Sequence, residues 1–301
     1  MYKIGLDVGG TKISAALFDA ENRVVHRQRY STDKSSYENF IGQILAVIEA
    51  FKAEAGERAL VGIGLPGAID GETGVVKNCN CQVVNGHNLE EDLESRLGHP
   101  VYIANDADCF ALGEACYGAG EGKQVVFGIV LGTGCGGGLV VNQTLVRGPN
   151  RLTGEWGHNP LPGYDLNIDG NVEPCYCGRA HCIESFLSGT GIAKRFAITY
   201  GEALSAAEIF KNIDHRADCT SFYRLYVDQL ARALASIINL IDPDMIVIGG
   251  GLSKQSRIFD DLPNVLSSYV FGGKCNTPVL PAKLGDDCGI YGAVKVGSQA
   301  S

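Results

Sequence analysis

The sequence predicts an α/β protein made of two similarly organised halves, and three observations predict it. A series of strand, glycine turn, strand, polar turn and strand runs through residues 2–28 and returns through 125–146. Stretches with helical spacing of apolar residues, 37–53 and 220–241, alternate with apolar strands. The 40 glycines cluster at 5–10, 62–67, 132–138, 148–157 and 249–251, where backbone must turn sharply or approach a ligand closely.

Tyr2 to Asp7 alternates as a short strand, Gly9-Gly10 turns it, and Lys12 to Phe18 runs back as a second. Asp19-Ala20-Glu21-Asn22 is polar turn material before a third strand near Val24 to Gln28. Tyr37, Phe40, Ile41, Ile44, Ile48 and Phe51 then share one helical face. Leu60 to Leu65 is an apolar strand ended by Pro66-Gly67, and Val101 to Ala104 delivers Asn105-Asp106-Ala107-Asp108 at its end, before a helix from Ala107 to Cys116. In the second half Val125 to Leu131 is a strand, the glycines of 132–138 turn it, and Leu139 to Asn142 returns. Phe222, Leu225, Leu230, Leu234, Ile237, Ile238 and Ile241 line the longest helix, which Asp242-Pro243 stops. Met245 to Ile248 is a buried strand followed by Gly249-Gly250-Gly251.

The 301 residues allow one large domain or two of ordinary size, and 45% hydrophobic with 20% charged residues is ordinary for a globular core. A net charge of −9 argues against a partner held through a phosphate backbone, so no nucleic-acid partner is expected. No apolar run approaches the roughly 20 residues that span a membrane. The chain enters its first strand without a leader-like segment, and its 11 cysteines are odd in number and scattered. A reducing, cytoplasmic setting is expected.

Residues 154–184 are the most informative stretch. Gly154-Glu155-Trp156-Gly157-His158, Cys175-Tyr176-Cys177 and Cys182-Ile183-Glu184 place one imidazole and three thiols in a short loop. His158, Cys175, Cys177 and Cys182 are a full tetrahedral set for Zn2+, with no open position, so the metal would be structural. Buried thiols or a disulfide are the bland alternatives. A metal pinning this loop would also aim Glu155 and Glu184 at a small molecule.

Two glycine turns between strands, Asp7-Val8-Gly9-Gly10-Thr11-Lys12 and Gly132-Thr133-Gly134, suit a phosphate chain, because glycine lets backbone N–H groups converge on an anion. Gly249-Gly250-Gly251 is a third such turn. Asp7 would hold Mg2+ through water, and Lys12 would add a point charge. Tight hairpins alone are the competing explanation. No Walker run is present, and the Gly132 turn leads into a strand, which a Rossmann fingerprint does not. Asp106, at the C-terminal end of a strand, is placed to take a proton from an attacking hydroxyl. Asn105 beside it could bond sugar hydroxyls, and an Asn-Asp helix cap is the alternative.

Taken in order, Asp7-Val8-Gly9-Gly10-Thr11-Lys12, Gly64-Leu65-Pro66-Gly67, Asn105-Asp106-Ala107, Leu131-Gly132-Thr133-Gly134, the Gly154–His158 segment, the three cysteines and Ile248-Gly249-Gly250-Gly251 resemble the ROK family of bacterial sugar kinases. Gly74-Val75-Val76-Lys77-Asn78, Glu155 to Pro162 and Phe271-Gly272-Gly273 look most like its fructokinase (mannokinase) branch. The resemblance implies an actin-like ATPase (ribonuclease-H-like) α/β fold: two lobes with a central cleft and a zinc-binding loop at 155–184. Residues 1–117 with a C-terminal helix at about 289–301 would form the first lobe, and 118–288 the second. It implies ATP-dependent phosphorylation of fructose, or mannose, at the 6-hydroxyl, with Mg2+ and with Asp106 as base. Gly67, Asn80, Asn105, Asp106, Glu155, His158 and Glu184 would hold the sugar, His158 using one ring nitrogen for it and the other for zinc. Asp7, Gly9, Gly10, Thr11, Lys12, Gly132, Thr133, Gly134, Gly250 and Gly251 would hold the nucleotide. A homodimer is implied as well.

Two residues depart from the family pattern. Asp108 stands where asparagine is usual, and could raise the pKa of Asp106 or face away. His181 stands where glycine is usual, and could strain its turn or compete for the metal. Glucose, N-acetylglucosamine and N-acetylmannosamine are alternative substrates. A sugar-responsive repressor is the alternative of another class; such repressors carry a DNA-binding domain ahead of the first glycine turn, where six residues precede Asp7 here. A filament-forming actin relative is a further alternative, against which the zinc loop and Asn105-Asp106 argue.

Overall fold

The computed structural model describes residues 1–55 and 59–299. Two five-stranded sheets organise the chain. In the first, β1 (Tyr2–Val8), β2 (Lys12–Phe18), β3 (Val24–Ser31), β4 (Ala59–Leu65) and β7 (Tyr102–Asn105) lie in the order β3-β2-β1-β4-β7; a small hairpin, β5 (Ala68–Ile69) with β6 (Val76–Lys77), stands apart. In the second, β8 (Val125–Leu131), β9 (Cys135–Val141), β10 (Thr144–Leu145), β11 (Met245–Gly249) and β12 (Val279–Pro281) lie in the order β10-β9-β8-β11-β12. Each sheet therefore runs third, second, first, fourth, fifth in its own chain order, which gives the repeated sequence pattern its structural meaning. The helices are α1 (Tyr37–Ala55), α2 (Leu89–Leu97), α3 (Asp106–Tyr117), α4 (Leu166–Asp169), α5 (Ile183–Leu187), α6 (Gly189–Tyr200), α7 (Ala206–Lys211), α8 (Ala217–Ile241), α9 (Ser256–Leu266) and α10 (Cys288–Gln299). Among the described residues no helix is long and apolar enough to cross a membrane.

Residues 1–122, 138–153 and 284–301 form one compact unit, and 123–137 with 154–283 the other. The sequence pattern places 138–153 with the second, and the structure places it with the first. The strand β9 stays in the second sheet, but from Gly138 it lies against α3, where a Cβ would be 2.8 Å from that of Ala111.

In the first unit the core lies between the sheet and α1, where Ile4, Leu6, Ile63 and Ile103 meet Phe40, Ile44 and Phe51, all buried. α10 packs against β1, β4 and α3 at backbone distance. A Cβ on Gly62 would fall 1.8 Å from the Ala293 carbonyl oxygen, and one on Gly292 would fall 1.7 Å from that of Cys109. Missing side chains on both partners let the helix sink between sheet and α3, a pairing that no single stretch of sequence announces.

The second unit is organised around α8, whose buried face includes Phe222, Tyr226, Leu230 and Leu234. Asp242 ends it in the left-handed conformation (φ 49°). A buried ionic network ties α8 and α6 to the loop before α5: Arg232 pairs with Asp169 on α4 and donates to the Pro162 carbonyl, while Arg195 donates to the carbonyls of Asp169 and Phe186. The glycine turn is shorter than the sequence suggests, since β9 already begins at Cys135.

Candidate active site

In the first unit β1, β4 and β7 run parallel, so their C-terminal ends share one edge, where open α/β sheets place ligands. Asp7 pairs with Gly64, and Gly64 with Ala104, which brings Asp7 and the Asn105–Asp106 corner to that edge. The turn after β1 closes through Gly9 N–H to the Lys12 carbonyl (2.8 Å), and the Thr32 hydroxyl braces it by donating to the Gly9 carbonyl (2.7 Å). Asn80 lies beside this turn; a Cβ on Gly10 would be 3.8 Å from its Cβ.

Asn105 is the N-cap of α3, its Oδ1 accepting from Ala107 N–H at 2.8 Å, while its Nδ2 donates to the Gly67 carbonyl at 2.7 Å. The helix-cap alternative is therefore real, and the same bonds orient the corner. The Asn105 side chain also bonds the Asp106 carboxyl, which leaves one lone pair of its Oδ1 for a ligand. Gly67 sits at φ 95° with Cys79 backbone 2.8 Å from where a Cβ would be, so only glycine lets this turn close against 77–79. Asp106 is the first residue of α3 and keeps contact with solvent. Burial by the surrounding protein pushes its carboxyl pKa up, against the pull of the Ala107 N–H. Asp108 is directed elsewhere: a Cβ on Gly138 would lie 3.2 Å from its Oδ1.

Burial first, then the charge of Asp106, pushes the Asp7 carboxyl from its ordinary 3.8 up to about 6, although Lys12 and Arg29 oppose the shift. Sequence reasoning missed what lies behind it. The first turn of α10 approaches so closely that a Cβ on Gly289 would be 3.0 Å from the Asp7 carboxyl carbon. A carboxyl whose folded pKa exceeds its unfolded one stabilises the fold below the unfolded value, and that contribution is lost as pH rises through the folded one. At ~1.4 kcal/mol per pKa unit the excursion is on the order of 2–3 kcal/mol. Asp7→Asn is thus expected to melt above the wild type at about pH 8, with the gap closing as pH falls from about 6 towards 4. Melting curves across that range check it; a gap independent of pH would refute it.

In the second unit β8 and β11 are parallel neighbours, so the Gly132-Thr133-Gly134 turn and the Gly250-Gly251 turn leave the same sheet edge. Gly132 N–H bonds to the Gly134 carbonyl at 3.0 Å, and Thr133 at the tip is exposed. Trp156 is buried and donates its indole N–H to the Gly136 carbonyl (2.9 Å), anchoring the short helical turn Trp156–His158 on β9. Glu155 and His158 flank that anchor and keep contact with solvent, with Glu155 Oε2 3.8 Å from His158 Nε2. Glu184, on α5, accepts from Cys135 N–H at 2.9 Å.

The four expected metal ligands come together. The ligand atoms of His158, Cys175, Cys177 and Cys182 all lie within 4.8 Å of one another. Cys177 and Cys182 sulfurs are 3.6 Å apart, and Cys175 Sγ is 3.6 Å from His158 Nδ1. A tetrahedral ion with Zn–S bonds of about 2.3 Å needs ligand separations of about 3.8 Å, so the donor set fits zinc. Burial pushes the Cys182 thiol up to about 12, and a bound cation is what would hold it as thiolate. With Nδ1 facing the sulfurs, His158 Nε2 pairs with the Tyr176 hydroxyl at 3.0 Å. His181 is not in the cluster. It takes the left-handed conformation (φ 59°) that glycine would favour, and its ring stacks on Tyr164 at 3.9 Å.

The ROK family model matches residues 3–299. An N-acetyl-D-glucosamine kinase of Photobacterium profundum is 36% identical over 96% of this chain and 97% of that protein. Among solved structures, a ROK hexokinase from Thermus thermophilus superposes with a TM-score of 0.89 at 28% identity, covering 100% of this chain and 99% of its own. A ROK family glucokinase from Streptomyces griseus, in complex with glucose and AMPPNP, superposes with a TM-score of 0.76, also at 28% identity, over 99% of this chain and 100% of its own.

Proposed function

This chain belongs to the ROK family, and from that membership we propose that it is an ATP-dependent sugar kinase whose substrate is N-acetyl-D-glucosamine. The observation that carries the substrate is the 36% identity, along nearly the whole of both chains, to a kinase of that amino sugar. It displaces fructose, which rests on likeness in three short segments and therefore weighs less than identity along the entire length. An ATP donor is supported by the two glycine turns and by the AMPPNP complex of the related glucokinase.

Phosphoryl transfer of this kind depends on positioning and charge rather than covalent chemistry on the protein. Asp106 takes the proton of the sugar 6-hydroxyl as that oxygen attacks the terminal phosphorus of ATP, whose bond to the bridging oxygen breaks so that ADP leaves. Its raised pKa suits a base, because the proton is accepted more readily than by an ordinary carboxylate. Asn105 fixes the corner from which Asp106 projects, with Gly67 and Asn80 beside it. Glu155 and His158 would hold other hydroxyls of the sugar, His158 exchanging its Nε2 contact with the Tyr176 hydroxyl for one of them, and zinc held by His158, Cys175, Cys177 and Cys182 would keep both in place. The turns at 9–12, 132–134 and 250–251 offer backbone to phosphates. Asp7 suits Mg2+, being a carboxylate crowded by a second one and only partly offset by Lys12. When bound, the ion neutralises charge developing on the phosphate oxygens.

Turnover with ATP across a panel of hexoses tests the reading. We expect kcat/KM for N-acetyl-D-glucosamine to exceed that for fructose at least about 100-fold, as for a site that bonds a polar group its rival lacks. A preference for fructose would restore the fructokinase assignment, and turnover of no sugar would remove the kinase reading.

A further inference from the structure

We infer that Glu184 is a positioning residue for the phosphate turn as well as a member of the sugar site, so that the zinc loop governs how well the nucleotide binds. This rests on the kinase reading above. The Glu184 carboxylate reaches across to the start of β9, where it accepts from Cys135 N–H at 2.9 Å, immediately after the turn. Its Oε2 also lies 2.7 Å from where a Cβ of Gly134 would be. Gly134 thus has a reason to be glycine that concerns no phosphate: it makes room for this carboxylate. The same short segment grips the other end of the turn, because Gly189 N–H donates to the Gly132 carbonyl at 2.7 Å.

Glu184 follows the metal ligand Cys182 by two residues, and its Oε1 lies 3.9 Å from the sulfur of Cys175. One end of the carboxylate therefore lies beside the sulfur of the metal ligand Cys175, and the other bonds the phosphate turn. An acceptor bonded to a buried N–H fixes the orientation of that peptide, and a fixed peptide presents the turn's remaining groups to an anion without further ordering cost. A residue that served the sugar alone would leave nucleotide affinity unchanged when removed.

The experiment is calorimetric titration of the zinc-loaded, sugar-free protein with Mg-AMPPNP. Glu184→Ala is expected to weaken nucleotide binding about tenfold or more with zinc content retained. Glu184→Gln, whose side-chain carbonyl can still accept from Cys135 N–H, is expected to stay within about threefold of wild type. In turnover the Ala variant should raise KM for ATP as well as for sugar, whereas Gln should raise KM for sugar alone. Should the Ala protein not fold, Glu184→Met keeps the bulk without the acceptor and takes its place. Wild-type nucleotide affinity in the acceptor-less variant, with the defect confined to sugar, would overturn the inference and leave the kinase reading intact. A wild-type protein that binds no Mg-AMPPNP would instead remove the kinase reading, and this inference with it.

Discussion

Asp106→Asn is expected to lower kcat about 10²–10⁴-fold while sugar affinity stays within about threefold. The carboxamide keeps the size of the carboxylate and the oxygen that accepts from Ala107 N–H at 2.9 Å, so the start of α3 and its Asn105 cap survive the change. What is lost is the ability to take a proton. Steady-state turnover with saturating ATP, alongside sugar titration of the same variant, checks both halves of the expectation. Turnover within tenfold of wild type would take the base role away from Asp106. Lost sugar affinity with lost turnover would make it a binding residue instead.

Removing zinc is expected to reduce sugar affinity at least about 100-fold. Structural zinc contributes on the order of 10 kcal/mol to the fold it closes. Here the contribution falls on the segments carrying His158 and Cys175 to Cys182, which the ion would join through all four ligands. The middle of the loop is held differently: Asp169 pairs with Arg232 and accepts from Gln229 Nε2 at 2.9 Å, and neither contact involves metal. Hydrogen exchange in chelator-stripped protein should therefore rise across about 155–160 and 171–185, with 162–169 remaining protected. Since Glu155, His158 and Glu184 all lie in the released segments, the sugar loses these three partners together. Undiminished sugar binding in metal-free protein would contradict the expectation.

Much of this architecture is legible in the sequence because it is local. Apolar runs ended by glycine or by Asn-Asp mark β1, β4, β7, β8 and β11, and parallel pairing then sends their functional ends to common edges. The metal cluster is legible because zinc demands few residue types at short spacing. The unread parts depend on contacts between distant residues. Glu184 and Cys135 are 49 positions apart, and nothing in either segment signals that a carboxylate will cap the turn. The seat of α10 needs Gly62 to be read together with Ala293, and Gly292 with Cys109. A short helix such as α2 escapes a sequence reading because a two-turn apolar stripe is a weak periodic signal. Asn105 shows the opposite case: the cap and the functional corner are both readable, and the structure makes them one arrangement.

The distance between the Asp106 carboxylate and the 6-hydroxyl of bound N-acetyl-D-glucosamine, in a crystal structure with Mg-AMPPNP, is the most direct test of the proposed chemistry. About 3 Å, the reach of a base to the proton it removes, is expected, with Glu155 and His158 on the sugar's other hydroxyls. A sugar seated with that hydroxyl more than about 6 Å from Asp106, beyond even one bridging water, would contradict it.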